Sequence, residues 1–591
     1  MRGLTSIFDY VGRKPCLFLM CRIFVLTLVF GIVLLTGCSK GSQAITTFHY
    51  DNYRTGWNKS ESTLTATNVS SNNFVQLSYA PIALDEQVDT QPLVVPGLRM
   101  VNGQGIGADD VVYVATENNS VYAIDGNTGK VLAQTNFGKP VPVAAITGCH
   151  NNGASVGING TPVIDLSTNT MYVIAFTMDA DGAAYHIHAL DLATLKDKVS
   201  ATEITATHPG AQGSTISFFP GSHRQRAALL LANGNIYAAF GSFCDFTIST
   251  SQPRGWILGW EQYHEGQKQK LTPLKSSIVT NEQTDSNEKV FLSSVWMSGS
   301  GLAADDDGSI YAVTGNTDSG TYNNGRTHGA PPGRNLGESV IKIAPDLSKV
   351  SDWFTPSNAA DLDKADLDFG SGGVMLLPGE FSTPNGKAHL ATAAGKFGTM
   401  YVLDATRMGH GGPGLAATPA PLAEEDIGYC FCSQSYFLGA NGPTIVSSGG
   451  GFNWGSDPEY VPGTVHLWSV SNLLTPNANV PSASATLRVE DQGKSLDLTQ
   501  ESAQSAGFFT SVSGVGKDAI IWAVVRPDKN FNMTLYAFSQ TVSNGTLTQL
   551  FKGQAGTWRN LHGNANTVPV VANGRVYVAS YKELRVFGLM H

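Results

Sequence analysis

Cysteine and histidine side chains are the groups in this sequence best suited to bind a metal ion or to carry redox chemistry. Cys149 and Cys244 are each followed by a further metal-ligand residue type, but no C-x-x-C or H-x-x-x-H spacing completes a site. His186 and His188 alternate along a predicted strand and share one face, which is more often a packed strand face than a metal site. P-loop and H-E-x-x-H motifs are absent. These residues therefore predict no catalytic centre by themselves.

The composition favours an exported, β-rich protein. Only 14% of the 591 residues are charged and 64 are glycine, which is typical of short strands joined by tight turns. The formal net charge of −10 offers no basic face for phosphate contacts. We therefore expect no nucleic-acid partner.

The amino terminus predicts a secretion signal. Residues 23–36 form an uninterrupted apolar run of 14, shorter than the roughly 20 residues of a membrane span. Basic residues such as Arg13 and Arg22 precede this run, as in a secretory signal. Translation starting at Met20 instead of Met1 would give a signal of more ordinary length.

The end of the apolar run, Leu35-Thr36-Gly37-Cys38, resembles the bacterial lipobox L-x-G-C. This resemblance implies a signal peptide of residues 1–37 and lipidation of Cys38, which would anchor the protein to a membrane. A short transmembrane anchor and an unlipidated signal peptide are the alternatives. The uncharged Ser39 resembles outer-membrane sorting, so we expect the protein at the periplasmic face of the outer membrane, with residues 38–47 as a tether.

Residues 111–134 predict the repeating element that must position any site. They read as three short strands, 111–116, 121–125 and one starting at 130, in which apolar and polar residues alternate. The turn Gly126-Asn127-Thr128-Gly129 is rich in residues that tolerate positive φ. Since one such meander cannot bury its own faces, it must pack against copies of itself.

The segment 123–130 matches the repeat A-x-D-x-x-T-G-K and thereby resembles the pyrroloquinoline-quinone-like (PQQ-like), or quinoprotein alcohol dehydrogenase-like, β-propellers. Phrases such as 157–165 and 226–234 resemble a bacterial group of PQQ-binding-like repeat proteins. The resemblance implies an all-β propeller spanning residues 48–591. In the dehydrogenases of this superfamily a Trp ends the motif and docks one blade on the next, but here that position is Ala133.

The number of blades can be counted from one type of strand, which recurs eight times in the sequence. The copies are residues 121–125, 188–191, 256–260, 340–343, 400–404, 465–468, 535–538 and 584–587. We therefore predict eight blades, with seven as the alternative. The last blade has only three strands before the chain ends, so residues 74–82 are predicted to pair with it and close the ring.

The resemblance also implies where a quinone site would lie. In the quinoprotein alcohol dehydrogenases the PQQ stacks on a Trp, a Ca²⁺ is held by Glu, Asn and Asp oxygens, and an Asp is the general base. By position Trp296 would be the stacking residue, Asn316 a calcium ligand, and Asp366 or Asp368 the base. The family's adjacent cysteines and its Glu ligand are missing. This favours a non-enzymatic role, with PQQ and calcium as the alternative.

Four cysteines would remain in an exported, lipidated chain, and four cysteines allow three pairings. We favour Cys149–Cys244, which would join loops of neighbouring blades. Cys430 and Cys432 would then be bonded locally or remain free.

Three functions remain open. The first is binding or scaffolding at the cell envelope with protein partners, as in the outer-membrane assembly lipoprotein that shares this fold. The second is a periplasmic PQQ- and calcium-dependent alcohol or sugar dehydrogenase with a divergent site. The third is carbohydrate or polymer binding by loop aromatics such as Trp353, Phe452 and Trp454.

Overall fold

Alternating apolar residues and tight turns build the first repeating element much as the sequence predicts. Its strands include Asp110–Ala115, Ser120–Asp125 and Val131–Asn136, within one residue of the predicted starts. The Asp125 carboxylate accepts hydrogen bonds from the backbone N–H groups of Asn127 and Thr128, at 2.8 and 3.2 Å, which fixes the second turn. A strand missed in the sequence, Leu93–Pro96, precedes them and completes a four-stranded antiparallel unit, which we call a module.

The computed structural model describes most of the chain after residue 41. The described ranges are 42–100, 110–146, 153–210, 213–243, 253–282, 292–317, 335–383, 386–451, 459–474, 485–502, 507–559 and 565–590. No helix in these ranges is long and apolar enough to cross a membrane. The predicted signal peptide, Cys38, Cys149 and Cys244 lie outside the described residues.

Modules 1 to 4 follow one another along the chain. Module 1 contains Leu93–Pro96, Asp110–Ala115, Ser120–Asp125 and Val131–Asn136, and module 2 contains Val163–Asp165, Thr170–Asp179, Gly182–Asp191 and Thr202–Glu203. Module 3 contains His223–Gln225 with Leu230–Ala232 as a split first strand, then Asn235–Ser242, Trp256–Glu261 and Ile278–Val279. Module 4 contains Ala303–Ala304, Ile310–Val313, Val340–Ile343 and Val350–Thr355.

Modules 5 to 8 complete the series. Module 5 contains Val374–Thr383, Gly386–Ala394, Thr399–Asp404 and Ala423–Asp426, and module 6 contains Ser435–Gly439, Gly442–Ser447, His466–Leu474 and Ala485–Lys494. Module 7 contains Phe509–Ser513, Ile520–Val525, Asn532–Ser543 and Thr546–Thr557. Module 8 contains Val570–Ala572, Arg575–Ala579, Tyr581–Leu589 and, from early in the chain, Phe74–Gln76 with Ile82–Gln87.

The described chain also contains shorter elements that are not counted in the modules. The remaining short strands are Trp57–Asn58, Val141–Pro142, Ser155–Val156, Thr207–Pro209, Thr215–Ser217, His410–Gly411, Glu459–Gly463 and Leu498–Ser502. The helices of the described chain are Ala66–Val69 and Ala359–Ala365, with 3₁₀ turns at Val143–Ala145 and Phe369–Ser371. The protein is therefore nearly all β, and the predicted fold class is confirmed.

The predicted closure of the ring is also confirmed. Phe74 pairs with Leu589, and Ile82 pairs with Leu584, so the two short early strands both bind the last long strand. The described strands form eight modules. The exact blade number stays a prediction, because a bridge between Lys494 and Thr546 joins modules 6 and 7 into one continuous sheet.

The apolar core lies between modules, not within them. Seven clusters in the described chain each join neighbouring modules, and one of them joins module 8 to module 1 through residues such as Val570 and Val112. A module alone would expose both of its faces. Radial packing buries them, because burial of apolar surface is the main favourable term in folding.

A tyrosine on the second strand docks several modules onto the next one. The hydroxyl of Tyr113 donates to the carbonyl of Leu192 at 2.8 Å, and that of Tyr237 donates to the carbonyl of Pro345 at 2.7 Å. Tyr172 accepts from the backbone N–H of Tyr263 at 2.7 Å. These bonds link modules 1 to 2, 3 to 4 and 2 to 3. These tyrosines therefore connect neighbouring modules in this protein, where position 133, the place of the docking Trp in the dehydrogenases, is an alanine.

A segment at residues 45–58 contacts the first strand of every module. Its backbone or amide groups form hydrogen bonds of 2.7–3.0 Å, and the pairs are Ile45 with Val94, Thr46 with Ile164, Asn52 with Leu231 and Ala304, Tyr53 with Leu376, Thr55 with Tyr436, Gly56 with Val512, and Asn58 with Val571. We call residues 45–58 the axial segment. The first strands are thus paired on their inner side. Residues 42–47, inside the predicted tether, already include contacts with modules 1 and 2.

Arg54 holds the axial segment in place. Its guanidinium is 1% exposed and donates to the carbonyls of Leu302 at 2.7 Å, Phe48 at 2.9 Å and Leu229 at 3.2 Å. Burial lowers the pKa of Arg54 to about 10, and nearby Asp51 opposes that shift. One side chain therefore links the axial segment to modules 3 and 4.

We predict that Arg54→Met lowers the free energy of unfolding by about 3 kcal/mol, because three buried carbonyls lose their donor. Urea unfolding measures this change. Arg488, whose side chain is 54% exposed, supplies the control: Arg488→Met should stay within about 0.5 kcal/mol of the unmodified protein. Equal stabilities of the two variants would contradict the role given to Arg54.

Candidate functional site

The sequence-predicted residues come from the same edge of two neighbouring modules. Trp296 precedes the first strand of module 4, and Asn316 follows its second strand. Asp368 precedes the first strand of module 5, and Lys396 follows its second strand. Because these strands are antiparallel, the start of a first strand and the end of a second strand meet at one edge. The four side chains therefore lie at one end of the ring.

Direct contacts join three of the predicted residues. Asp368 Oδ1 accepts from the backbone N–H of Asn316 at 2.7 Å, and the Asn316 side-chain amide donates to Asp366 Oδ1 at 3.1 Å. Lys396 Nζ lies 3.1 Å from Asp366 Oδ1 and 2.6 Å from Asp368 Oδ2. The ammonium group thus bridges both carboxylates. We call Asp366, Asp368, Asn316 and Lys396 the lysine–carboxylate cluster.

Trp296 borders this cluster. Gly315 separates them, and a Cβ at Gly315 would stand 2.5 Å from Asp368 Oδ1 and 3.3 Å from Trp296 Cδ1. Only glycine therefore fits at this close approach. The indole of Trp296 is partly exposed, while its buried Nε1 has no hydrogen-bond partner within the described chain. It offers an aromatic surface next to charged groups.

The two aspartate side chains of the site differ in exposure. The Asp366 side chain is 50% exposed, whereas that of Asp368 is 7% exposed. Burial and the neighbouring Asp368 raise the pKa of Asp366, while Lys396 lowers it. A more accessible carboxylate with a raised pKa is the better proton acceptor near neutral pH. Asp366 therefore suits the role of base better than Asp368.

Lys396 and Glu338 were not identified in the sequence. Lys396 follows a strand in the phrase Ala394-Gly395-Lys396, and this position at the edge of the fold is the signal that could have indicated it. Glu338 is 0% exposed, and its Oε2 accepts from the backbone N–H of Phe369 at 2.5 Å. Burial, Asp368 and Asp363 raise the pKa of Glu338 well above its ordinary value. Glu338 thus fixes the loop that carries Asp368.

The residues that the structure describes around Trp296 do not fit a calcium ion. Asn316 Oδ1 is buried and has no partner within the described chain, as a vacant ligand would. The carboxylates of Asp366 and Asp368, however, already share the Lys396 ammonium, at 3.1 and 2.6 Å, as their counter-ion. No group of three or more His, Cys, Asp or Glu side chains in the described ranges could hold a metal. We therefore derive no step through calcium.

A local disulfide borders the same end of the ring. Cys430 and Cys432 are bonded to each other and are 0% exposed. Phe431 lies between them, and Lys396 Nζ is 5.5 Å from the centre of its ring. The disulfide therefore helps to position an aromatic side chain beside the lysine–carboxylate cluster. The proposed pairing of Cys149 with Cys244 stays a prediction.

Trp353 does not form a loop surface for carbohydrate. It lies in the strand Val350–Thr355, and its ring stacks on that of His410 with 3.7 Å between centroids. One face of its ring is therefore covered by His410. Phe452 and Trp454 lie outside the described residues.

No protein-family model matches the chain, and no curated protein matches it. Solved structures do resemble it. Quinohemoprotein alcohol dehydrogenase ADHIIG from Pseudomonas putida HK5 has a TM-score of 0.54 and 14% identity over 93% of this chain and 80% of its own. Quinohemoprotein alcohol dehydrogenase from Comamonas testosteroni has a TM-score of 0.53 and 14% identity, over 92% of this chain and 80% of its own. A europium-containing methanol dehydrogenase has a TM-score of 0.50 and 13% identity, over 93% of this chain and 99% of its own.

These likenesses show the fold, which is that of a PQQ-like β-propeller, as the repeat in the sequence predicted. At such identities the fold does not determine the chemistry, which must be argued from the site.

The raised pKa of Glu338 has a consequence for stability. Folded Glu338 keeps its proton at pH values where the unfolded chain has lost it, so the free energy of unfolding falls as pH rises above the ordinary value of 4.5. We predict that Glu338→Gln is increasingly more stable than the unmodified protein from pH 5 to 8, by up to about 1.4 kcal/mol per pH unit. Urea unfolding at several pH values measures this difference.

Glu380 supplies the control, because its side chain is 54% exposed. Glu380→Gln should change stability by an amount that does not vary with pH in this range. If the Glu338→Gln difference were equally constant, Glu338 would be charged in the folded protein.

Proposed function

We propose that this protein is a small-molecule-binding β-propeller that holds a planar ligand on Trp296, with the lysine–carboxylate cluster at the edge of the ligand. The observation that carries the proposal is the bridge from Lys396 to Asp366 and Asp368 next to a partly exposed indole. Fixed charges beside an aromatic face are the usual composition of a ligand site. The sequence predicted binding or scaffolding at the cell envelope, and this arrangement supports binding. Scaffolding of envelope proteins stays a prediction.

Unpaired buried polar atoms support the proposal. Trp296 Nε1, Asn316 Oδ1 and Glu338 Oε1 have no hydrogen-bond partner in the described chain. Each such group lowers stability, because it has lost water without gaining a replacement. Three of them around one cluster indicate a place where a ligand or ordered water completes the hydrogen bonding.

PQQ is the first ligand to test, because the fold is shared with quinoprotein dehydrogenases and Trp296 fits a planar ring. When bound, PQQ supplies a two-electron oxidant. Oxidoreductase activity is the second candidate function, and the observation that favours it is the exposed Asp366 with its raised pKa. In that case Asp366 would accept a proton from the substrate, and Lys396 would fix the orientation of both carboxylates.

We predict that PQQ binds the purified protein in a one-to-one complex without added calcium, because the Lys396 ammonium already supplies a positive charge beside Asp366 and Asp368. Isothermal titration, with and without Ca²⁺, measures this binding. Trp296→Ala, which leaves the lysine–carboxylate cluster intact, and Lys396→Gln should each weaken it at least about tenfold, the equivalent of one charge-assisted hydrogen bond.

Lys387 is the matched control, because its side chain is 72% exposed. Lys387→Gln should bind PQQ as the unmodified protein does. The proposal is wrong if the unmodified protein binds no PQQ, or if Trp296→Ala and Lys396→Gln bind it equally well.

Export and lipidation are part of the same proposal, with the propeller held by Cys38 at the periplasmic face of the outer membrane. We predict that labelled palmitate enters the full-length protein in a bacterial host and that Cys38→Ala abolishes the labelling. Cys16→Ala, which changes a residue of the predicted signal, should leave it unchanged. Labelling that persists in Cys38→Ala would contradict the anchor.

A further inference from the structure

A cavity of about 620 Å³ lies where the ring closes, at the opposite end from Trp296. Its lining includes residues 573–575, at the turn between the first and second strands of module 8, and Asn127, in the turn after the third strand of module 1. Trp296 instead precedes a first strand. In antiparallel modules, first and third strands end at the edge opposite to the one where first strands begin. The cavity is therefore separate from the site on Trp296.

Both ends of the propeller chain contribute to this lining. Residues 75–79 belong to the early segment that closes the ring, and residues 588–590 lie at the end of the last long strand. Tyr79 Oη donates to the carbonyl of Gly126 at 2.5 Å, which holds the early segment against module 1. A bound molecule would therefore contact modules 8 and 1 together. It would stabilise the closed ring, because binding to the folded state alone raises its stability.

Apolar side chains form part of the lining, and the protein does not cover them fully. Val75, Leu77 and Leu589 are partly exposed, and Met590 is 55% exposed. Apolar surface is stabilised when it leaves water, so these side chains favour a ligand with an alkyl or aryl part. The volume lies within the range of roughly 300–1,000 Å³ that small-molecule sites occupy.

The charged side chain of the lining, Arg575, already has a counter-charge. Its Nη1 is 3.5 Å from Asp110 Oδ2, and its Nη2 donates to Asn127 Oδ1. The Asp110 side chain is 1% exposed, so this carboxylate is held in place beside the guanidinium. Arg575 therefore does not require an anionic ligand.

The other polar groups of the lining are uncharged. Thr63 and Ser78 are exposed, and each presents a hydroxyl that can both donate and accept a hydrogen bond. Gln76 adds an amide group. Groups of this kind suit a ligand whose polar part carries hydroxyls and no charge.

We propose that this cavity binds a small amphipathic molecule with an alkyl or aryl part and an uncharged, hydroxyl-bearing head. The apolar part covers Leu77 and Met590, and the head forms hydrogen bonds with Thr63 and Ser78. This second site goes beyond the proposed function, because it lies at the other end of the ring and takes a different class of ligand.

Octyl glucoside is the probe, because it joins an alkyl chain to an uncharged sugar. Isothermal titration of the full chain, below the micelle threshold of the probe, should show saturable one-to-one binding. Glucose, which lacks the chain, should bind at least about tenfold more weakly. Octanoate should also bind at least about tenfold more weakly, because its carboxylate would lose water without gaining a free cation.

Absence of saturable binding of octyl glucoside would overturn the inference. Tighter binding of octanoate than of octyl glucoside would overturn the proposed ligand class, because it would show a cavity built for an anion.

Two variants at exposed positions test the location without disturbing the core. Ser78→Trp puts a large side chain into the lining and should weaken octyl glucoside binding at least about tenfold. Ser351→Trp makes the same change at an exposed position of module 4 outside the lining, and should bind as the unmodified protein does. Equal affinities of these two variants would contradict the proposed site.

Met590→Asp tests the apolar part of the lining in the same way. A charge there should weaken octyl glucoside binding at least about fivefold, because the alkyl chain would lose apolar contact. Leu496, which is 74% exposed and lies outside the lining, supplies the control Leu496→Asp, which should retain the affinity. Equal binding by both variants would show that the alkyl chain does not lie against Met590 and would overturn the inference.

Competition separates this inference from the proposed function. PQQ should not displace octyl glucoside, and displacement would place both ligands in one site and overturn the inference. Absence of PQQ binding, with binding of octyl glucoside as expected, would contradict only the proposed function.

Discussion

The fold depends on pairing the inner edges of the modules. The first strand of each module lies innermost, and its backbone N–H and C=O groups would lack partners if the axis of the ring were empty. The axial segment supplies partners to the first strands of all modules within the described chain. Arg54 keeps this segment in register, since its guanidinium binds carbonyls of modules 3 and 4. The segment therefore joins modules that are hundreds of residues apart in the chain.

This arrangement also decides where a ligand can bind. The axial segment occupies the space between the first strands, so the loops that precede these strands surround what remains at one end. There the chain places Trp296 and the lysine–carboxylate cluster. Trp296 Nε1 and Asn316 Oδ1 are buried without a hydrogen-bond partner in the described chain, and burial beside them raises the pKa of Glu338. Local loss of stability of this kind is characteristic of functional sites, because the binding partner restores the missing interactions.

Local patterns in the sequence predicted the parts of the fold that depend on neighbouring residues. The strands around residues 111–136 and the Asp125 turn follow from alternation and turn chemistry, and the unpaired last strand predicted the closure by residues 74–82. The axial segment, the docking by Tyr113 and the lysine–carboxylate cluster depend on contacts between distant residues. Asp366 and Lys396, for example, are 30 residues apart, and nothing near Lys396 indicates its partner. Trp296, Asn316, Asp366 and Asp368 came from family resemblance; the structure brings them together but does not support their calcium chemistry.

Native-state hydrogen exchange tests the central claim most directly, because it reports which backbone amides are protected and by how much. If the axial segment is part of the core, the amide of Ile45, which donates to Val94, and that of Gly56, which donates to His49 inside the segment, should exchange as slowly as the first-strand amides of Val94 and Val512. All should open only with global unfolding. Rapid exchange of residues 45–58 while the first strands stay protected would show that the ring holds together without its axial segment, and would contradict the account.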